Sequence, residues 1–140
     1  MTNNQAKKVN GQFDQLSVGS ILKDKKKNKI NDQVINGVKV RFQNILDLPF
    51  KDLRKLIDEG KKEIGEGLVI IYAINDNKVG LAVGVTKKLE SKFDAVKIVR
   101  VGSEIIGGKG GGGRADFAQA GGTLPDKIQE SFESIKKLIN

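Results

Sequence analysis

Residues 68–85, LVIIYAINDNKVGLAVGV, decide the fold. LVIIYAI at 68–74 is a short, almost wholly apolar run of strand-forming residues, as expected for a strand buried on both faces. NDNK at 75–78 is a turn, and VGLAVGV at 79–85 is its antiparallel partner. Gly80 and Gly84 lie on one face of that second strand, which predicts close packing of another element there.

The pattern alternates on either side of this hairpin. Upstream, Pro49 suits the first turn of a helix that carries Phe50, Leu53, Leu56, Ile57 and Ile64 at helical spacing, with Gly65 or Gly67 as its stop. Before it, VINGVKVRF at 34–42 centres on Asn36-Gly37, the signal of a strand or tight hairpin. Downstream, residues 93–106 are rich in β-branched residues. Asp94 as N-cap and Gly107 or Gly108 as C-cap nevertheless predict a helix. The last segment, TLPDKIQESFESIKKLIN, starts a helix at Thr123 or Pro125 and places Leu124, Ile128, Phe132, Ile135 and Ile139 on one apolar stripe. The expected architecture is α/β of the α+β type: one small mixed or antiparallel sheet packed with helices, spanning residues 30–140. No internal repeat is visible.

Residues 1–29 differ. Seven lysines stand there against Asp14 and Asp24, so +5 of the whole chain's net +8 lies in the first fifth of its 140 residues. The run KDKKKNK at 23–29 cannot pack a core, and the segment reads as a basic, partly helical tail, with Phe13, Leu16 and Ile21 on one side. Histidine and cysteine are absent. That excludes a His-containing triad, a thiol nucleophile, a Cys/His zinc site and a disulfide framework. No catalytic residue, metal site or cofactor is expected. No apolar run approaches the ~20 residues a membrane crossing needs, so neither a membrane partner nor a signal peptide is expected, and the location expected is cytoplasmic.

The remaining oddity is GGKGGGGRADFAQAGG at 107–122, where six of the seven positions 107–113 are glycine. Bare backbone next to Lys109 and Arg114 suits an anion. The named phosphate motifs fail, however: Lys109 is followed by Gly110 rather than Ser or Thr, and a GxGxxG match in a run of glycines is close to automatic. The alternative reading is a tight backbone crossing under the C-terminal helix.

This stretch resembles the signature of the DHH-associated domain, the C-terminal domain of alanyl-tRNA synthetases that also accompanies some phosphoesterases. The family pattern runs glycine pair, lysine, three or four glycines, arginine, proline, aspartate, methionine, then Ala-Gln-Ala-Gly-Gly. Here Ala115 replaces the proline and Phe117 the methionine. INGVKV at 35–40, LAVGVTKKL at 81–89 and VRVGSE at 99–104 follow the family in the same order. The resemblance implies a non-catalytic domain that grips the outer corner, or elbow, of tRNA and supports the catalytic and editing domains of a parent synthetase specific for alanine tRNA. It also implies that residues 1–29 are the truncated end of a helical segment, and that the isolated fragment is a monomer. A nucleic-acid-binding domain detached from a DHH-type phosphoesterase is the alternative.

On that reading the RNA-binding candidates are Lys109 and Arg114, with Lys25, Lys26, Lys27 and Lys29 as an auxiliary basic arm. The glycine loop comprises Gly107, Gly108, Gly110, Gly111, Gly112 and Gly113. Asp116, Gln119, Gly121 and Gly122 complete the signature and are as readily structural, bonding backbone in a tight crossing. Arg114 is equally a partner for Asp116 or Glu104, and the lysine run a solvated tail. Tyr72 is read as core, not as a platform for bases.

Overall fold

Two tight turns set the register of the sheet. Asn36 and Gly37 have φ of 52° and 79°, and Asp76 and Asn77 of 52° and 64°. Positive φ at both central residues is the primed turn geometry that matches the twist of antiparallel strands. The first turn joins β1 (Asn28–Ile35) to β2 (Val38–Leu46), and the second joins β3 (Leu68–Asn75) to β4 (Lys78–Val85). The computed structural model describes residues 28–108 and 111–140.

Between the hairpins the chain crosses one face as helix α1 (Leu53–Ile64), so β2 and β3 pair in parallel. After β4, helix α2 (Ala95–Ile105) covers the opposite face. Two further strands, β5 (Gly111–Arg114) and β6 (Phe117–Gly122), and helix α3 (Ile128–Ile139) complete the described chain. The result is a six-stranded mixed sheet in the order β1-β2-β3-β4-β6-β5, an α+β fold. Among the described residues no helix is long and apolar enough to cross a membrane.

The core is split by the sheet. Leu53, Ile57 and Ile64 of α1 pack on Val69, Ile71 and Ala73. Ile98 and Val99 of α2 and Phe132 and Ile135 of α3 pack on Leu68, Ile70, Leu81 and Val83. The continuous apolar run of β3 is thus buried on both faces. Gly80 and Gly84 are packed closely by α1 and the turn before it. A Cβ at Gly80 would stand 2.9 Å from Phe50 Cδ1, and one at Gly84 would stand 2.8 Å from Lys61 Cε and press into Ile57.

Tyr72 is core, as expected. Its hydroxyl lies 2.7 Å from Ser131 Oγ, which in turn donates to the Gly102 carbonyl at 2.8 Å. Because the single serine proton is spent on Gly102, Tyr72 is the donor to Ser131. Burial pushes the phenol above its ordinary value of 10.0. This chain of bonds ties the sheet to α2 and α3 at their contact.

The expected elements from residue 34 to 106 are present, with Asp94 capping α2 through a 2.9 Å bond from Val96 N to Oδ1. Three expectations are corrected. First, β1 begins at Asn28, so Lys29 stands on a strand, opposite Asn44. Its solvated residues lack the alternation that marks a half-buried strand. Second, a short 3-10 turn (Pro125–Lys127) precedes α3, and Leu124 lies before it with 41% of its surface exposed, off the apolar stripe. Third, the glycine-rich segment contains two strands. Of the expected partly helical tail, residues 1–29, positions 1–27 lie outside the described residues.

Candidate nucleic-acid interface

The glycine segment divides by what each residue must avoid. Gly107, at φ 85°, ends α2, and Gly108 N bonds back to Ser103 O at 2.7 Å. The chain then returns as β6 alongside that same helix end. A Cβ at Gly108 would collide with the Gly121 carbonyl, and one at Gly122 with the Ile106 carbonyl. The backbone crossing expected from the sequence is therefore real, but it lies between the end of α2 and the end of β6 rather than beneath the C-terminal helix.

Gly111, Gly112 and Gly113 form edge strand β5, paired with Ala120, Gln119 and Ala118. Gly111 and Gly113 press on the β6 backbone, while a Cβ at Gly112 would meet nothing within 4 Å. The turn at Ala115–Asp116 is anchored from three directions. Ala115 O accepts from Ala95 N at 3.0 Å, and Asp116 O accepts from Val85 N at 2.9 Å. Lys61 Nζ, reaching over from α1, donates to the same Asp116 oxygen at 2.9 Å. One strand further, Gln119 Nε2 donates to Phe50 O at 3.2 Å. The hairpin is thus tied to α1, α2 and β4 through backbone groups, which hold the turn although Ala115 stands where the signature has proline.

Arg114 projects from this turn with 70% of its side chain exposed, and its Nε is 3.8 Å from Asp116 Oδ1. The partner among the alternatives is Asp116, not Glu104. At that distance and exposure the pair is weak, leaving the guanidinium able to exchange its partner for a phosphate. Gln119 bonds backbone, as a structural role requires. The carboxylate of Asp116 meets Arg114, and the backbone bonds of Asp116 run through its carbonyl. Lys109 and Gly110 lie outside the described residues, as do Lys25, Lys26 and Lys27.

Lys29 is described, and it is far from Arg114. β1 and β5 are opposite edges of the sheet, five strand spacings or about 24 Å apart. Sequence reasoning missed Arg54, whose guanidinium carbon stands 5.0 Å from the centroid of the Phe117 ring. The available signal was the i, i+7 spacing of Arg54 and Lys61, which sets both on one stripe of α1. Beside Asp116 an open groove of about 390 Å³ is lined by Lys61, Lys62, Lys87 and Glu90. The described residues contain no cluster of three or more His, Cys, Asp or Glu able to hold a metal ion. Among the described residues the hairpin presents one exposed cation, Arg114, at the end of a strand of glycines, and Lys61, Lys62 and Lys87 line the groove beside Asp116.

Comparison with known proteins places this geometry. Residues 33–140 match the model of the DHHA1 domain. The chain is 45% identical over 107 residues to the alanine–tRNA ligase of Hyphomonas neptunium and 47% over 106 residues to that of Bradyrhizobium diazoefficiens. These matches cover 76% and 75% of this chain but 12% of each relative's length. Among solved structures it is similar to the C-Ala domain of Aquifex aeolicus alanyl-tRNA synthetase, with a TM-score of 0.73 and 28% identity, covering 77% of this chain and 96% of that one. A DHH domain described as a member of the s1p family of ribosomal proteins aligns with a TM-score of 0.53 at 21% identity, a likeness of fold alone.

Proposed function

The chain belongs to the DHHA1 domain family, and from that premise we propose that it is the tRNA-gripping accessory domain of an alanyl-tRNA synthetase. It holds the outer corner of the tRNA while catalytic and editing domains elsewhere act on the same molecule. It performs no bond-breaking itself, and a cytoplasmic location follows from that role. The observation that carries the reading is Arg114, largely exposed on a hairpin anchored through Ala115, Asp116 and Gln119. A cation on a fixed support binds a phosphate without a large ordering cost. The A-form helix hides its base edges in a deep groove, so contour and phosphates are what such a surface reads. Lys109, Lys25, Lys26 and Lys27 are read as further phosphate-binding cations, whereas Lys29 stands at the far edge of the sheet from Arg114. The weak likeness to the DHH domain bears on fold only, so the synthetase reading is preferred over a phosphoesterase one.

Fluorescence anisotropy with an alanine tRNA transcript tests this. Three phosphate contacts predict a loss of affinity of about 40-fold between about 50 and 200 mM salt. Removing residues 1–27 is expected to weaken all tRNAs alike, because phosphate contacts carry no sequence information. Binding indifferent to salt, or selectivity altered by the deletion, would contradict the electrostatic account.

A further inference from the structure

We propose that Arg54 is a second phosphate-binding arginine, presented by Phe117, and that the RNA therefore passes along the α1 side of the β5–β6 hairpin. This rests on the tRNA-binding reading above and adds to it the face used. Along β6, Ala118 and Ala120 are buried among the residues packed on α2 and α3, while Phe117 packs with the α1 cluster and Gln119 bonds Phe50. The register sets Arg114 opposite Phe117 and Gly112 opposite Gln119. Facing pairs share a side, so Arg114 and Gly112 also look towards α1.

Arg54 and Arg114 thus flank one half-buried ring, next to a glycine above which no atom lies within 4 Å of a Cβ position. Arg54 is exposed, and among the described residues no carboxylate pairs with it. A guanidinium stacked on a ring keeps its in-plane N–H fork open and loses little freedom when it grips a phosphate through two bonds. The family pattern has methionine at this position, and a thioether has no aromatic face for a cation. Phe117 supplies one to Arg54 here. The competing path lies over α2, where Lys97 and Arg100 are exposed on the other face of the sheet.

The test uses the 140-residue chain and an alanine tRNA transcript, with affinity measured across a salt series. Arg54→Gln is expected to weaken binding about tenfold and to flatten the salt slope by about 1. Arg54→Lys should recover only part. Phe117→Met should weaken binding about threefold with an unchanged melting transition, Phe117→Tyr should not, and Arg54→Gln should cost less in the Phe117→Met background than alone. If Arg114→Ala weakens binding while Arg54→Gln leaves affinity and slope at the parent values, the proposal fails and the tRNA reading stands. A larger loss from Lys97→Gln with Arg100→Gln would likewise overturn it in favour of the α2 side. If the parent chain does not bind the transcript at all, the tRNA reading falls and takes the proposal with it.

Discussion

Gly122→Ala is expected to destabilise the protein by about 3 kcal/mol or more, whereas Gly112→Ala is expected to stabilise it by about 0.5 kcal/mol. Both residues belong to the same glycine-rich signature, and composition alone cannot tell them apart. At Gly122 an added methyl enters the Ile106 carbonyl, which already accepts from Thr123 N at 2.9 Å and Leu124 N at 2.8 Å. Backbone held by its own hydrogen bonds has no rotamer to yield with, so the strand end and the helix end must separate. At Gly112 the methyl points into open space on an edge strand, and the change mainly reduces the entropy of the unfolded chain. Thermal unfolding followed by circular dichroism checks both. Equal, small effects at the two sites would show that the glycines are not spent on packing.

Phe132→Asp is expected to abolish folding. The residue is 1% exposed, stacks on Phe42 with ring centroids 4.2 Å apart at 13°, and anchors α3 to the sheet face that also holds Tyr72. Substitution removes a large apolar contact, worth about 3–5 kcal/mol for truncation alone, and buries a carboxylate that only Lys136, whose Nζ is now 5.5 Å from the ring centroid, could face. Together these exceed the 5–15 kcal/mol typical of a whole domain at its lower end. Leu138→Asp on the same helix, where 47% of the residue is exposed, is the control and should cost only about 1 kcal/mol, leaving a cooperative fold. A cooperative melt at the parent temperature for Phe132→Asp would mean that α3 is not packed on the core.

The central hairpin, α1 and α3 were readable because burial leaves an apolar run or stripe in the chain, and α2 because Asp94 and Gly107 mark its two ends. The edges left no such trace. β1 is polar along Asn28, Lys29, Asn31, Asp32 and Gln33 because it is solvated, and its salt bridge from Asp32 to Arg41, with Nε–Oδ1 at 2.8 Å, is a cross-strand pair visible only once the register is known. The Arg41 guanidinium, bonded to Asp32 and also to Glu63, holds the Asp32 carboxyl below its ordinary value of 3.8. β5 is nearly all glycine, so neither β-propensity nor alternation reports it. What made it a strand is the β6 backbone it lies against.

The site was legible in part for the same reason. Arg114 stood out as a charge adjoining a bare backbone, and its neighbour Asp116 was among the partners weighed for it. Arg54 and Lys61 did not stand out, since the chain does not say which stripe of α1 turns towards residues 114–119. That depends on β6 inserting between β4 and β5, a long-range pairing with no local signature. Lys29 was grouped with Lys25, Lys26 and Lys27 by proximity in sequence, yet the sheet carries it to the opposite edge from Arg114.

Amide chemical-shift mapping of the chain on addition of an alanine tRNA transcript tests the account most directly. The account predicts perturbations concentrated at Gly112, Arg114, Phe117 and Gln119 and along the Arg54–Lys61 stripe of α1, fading as salt is raised. Perturbations confined to β1 and α3, or a spectrum that tRNA leaves unchanged, would contradict it.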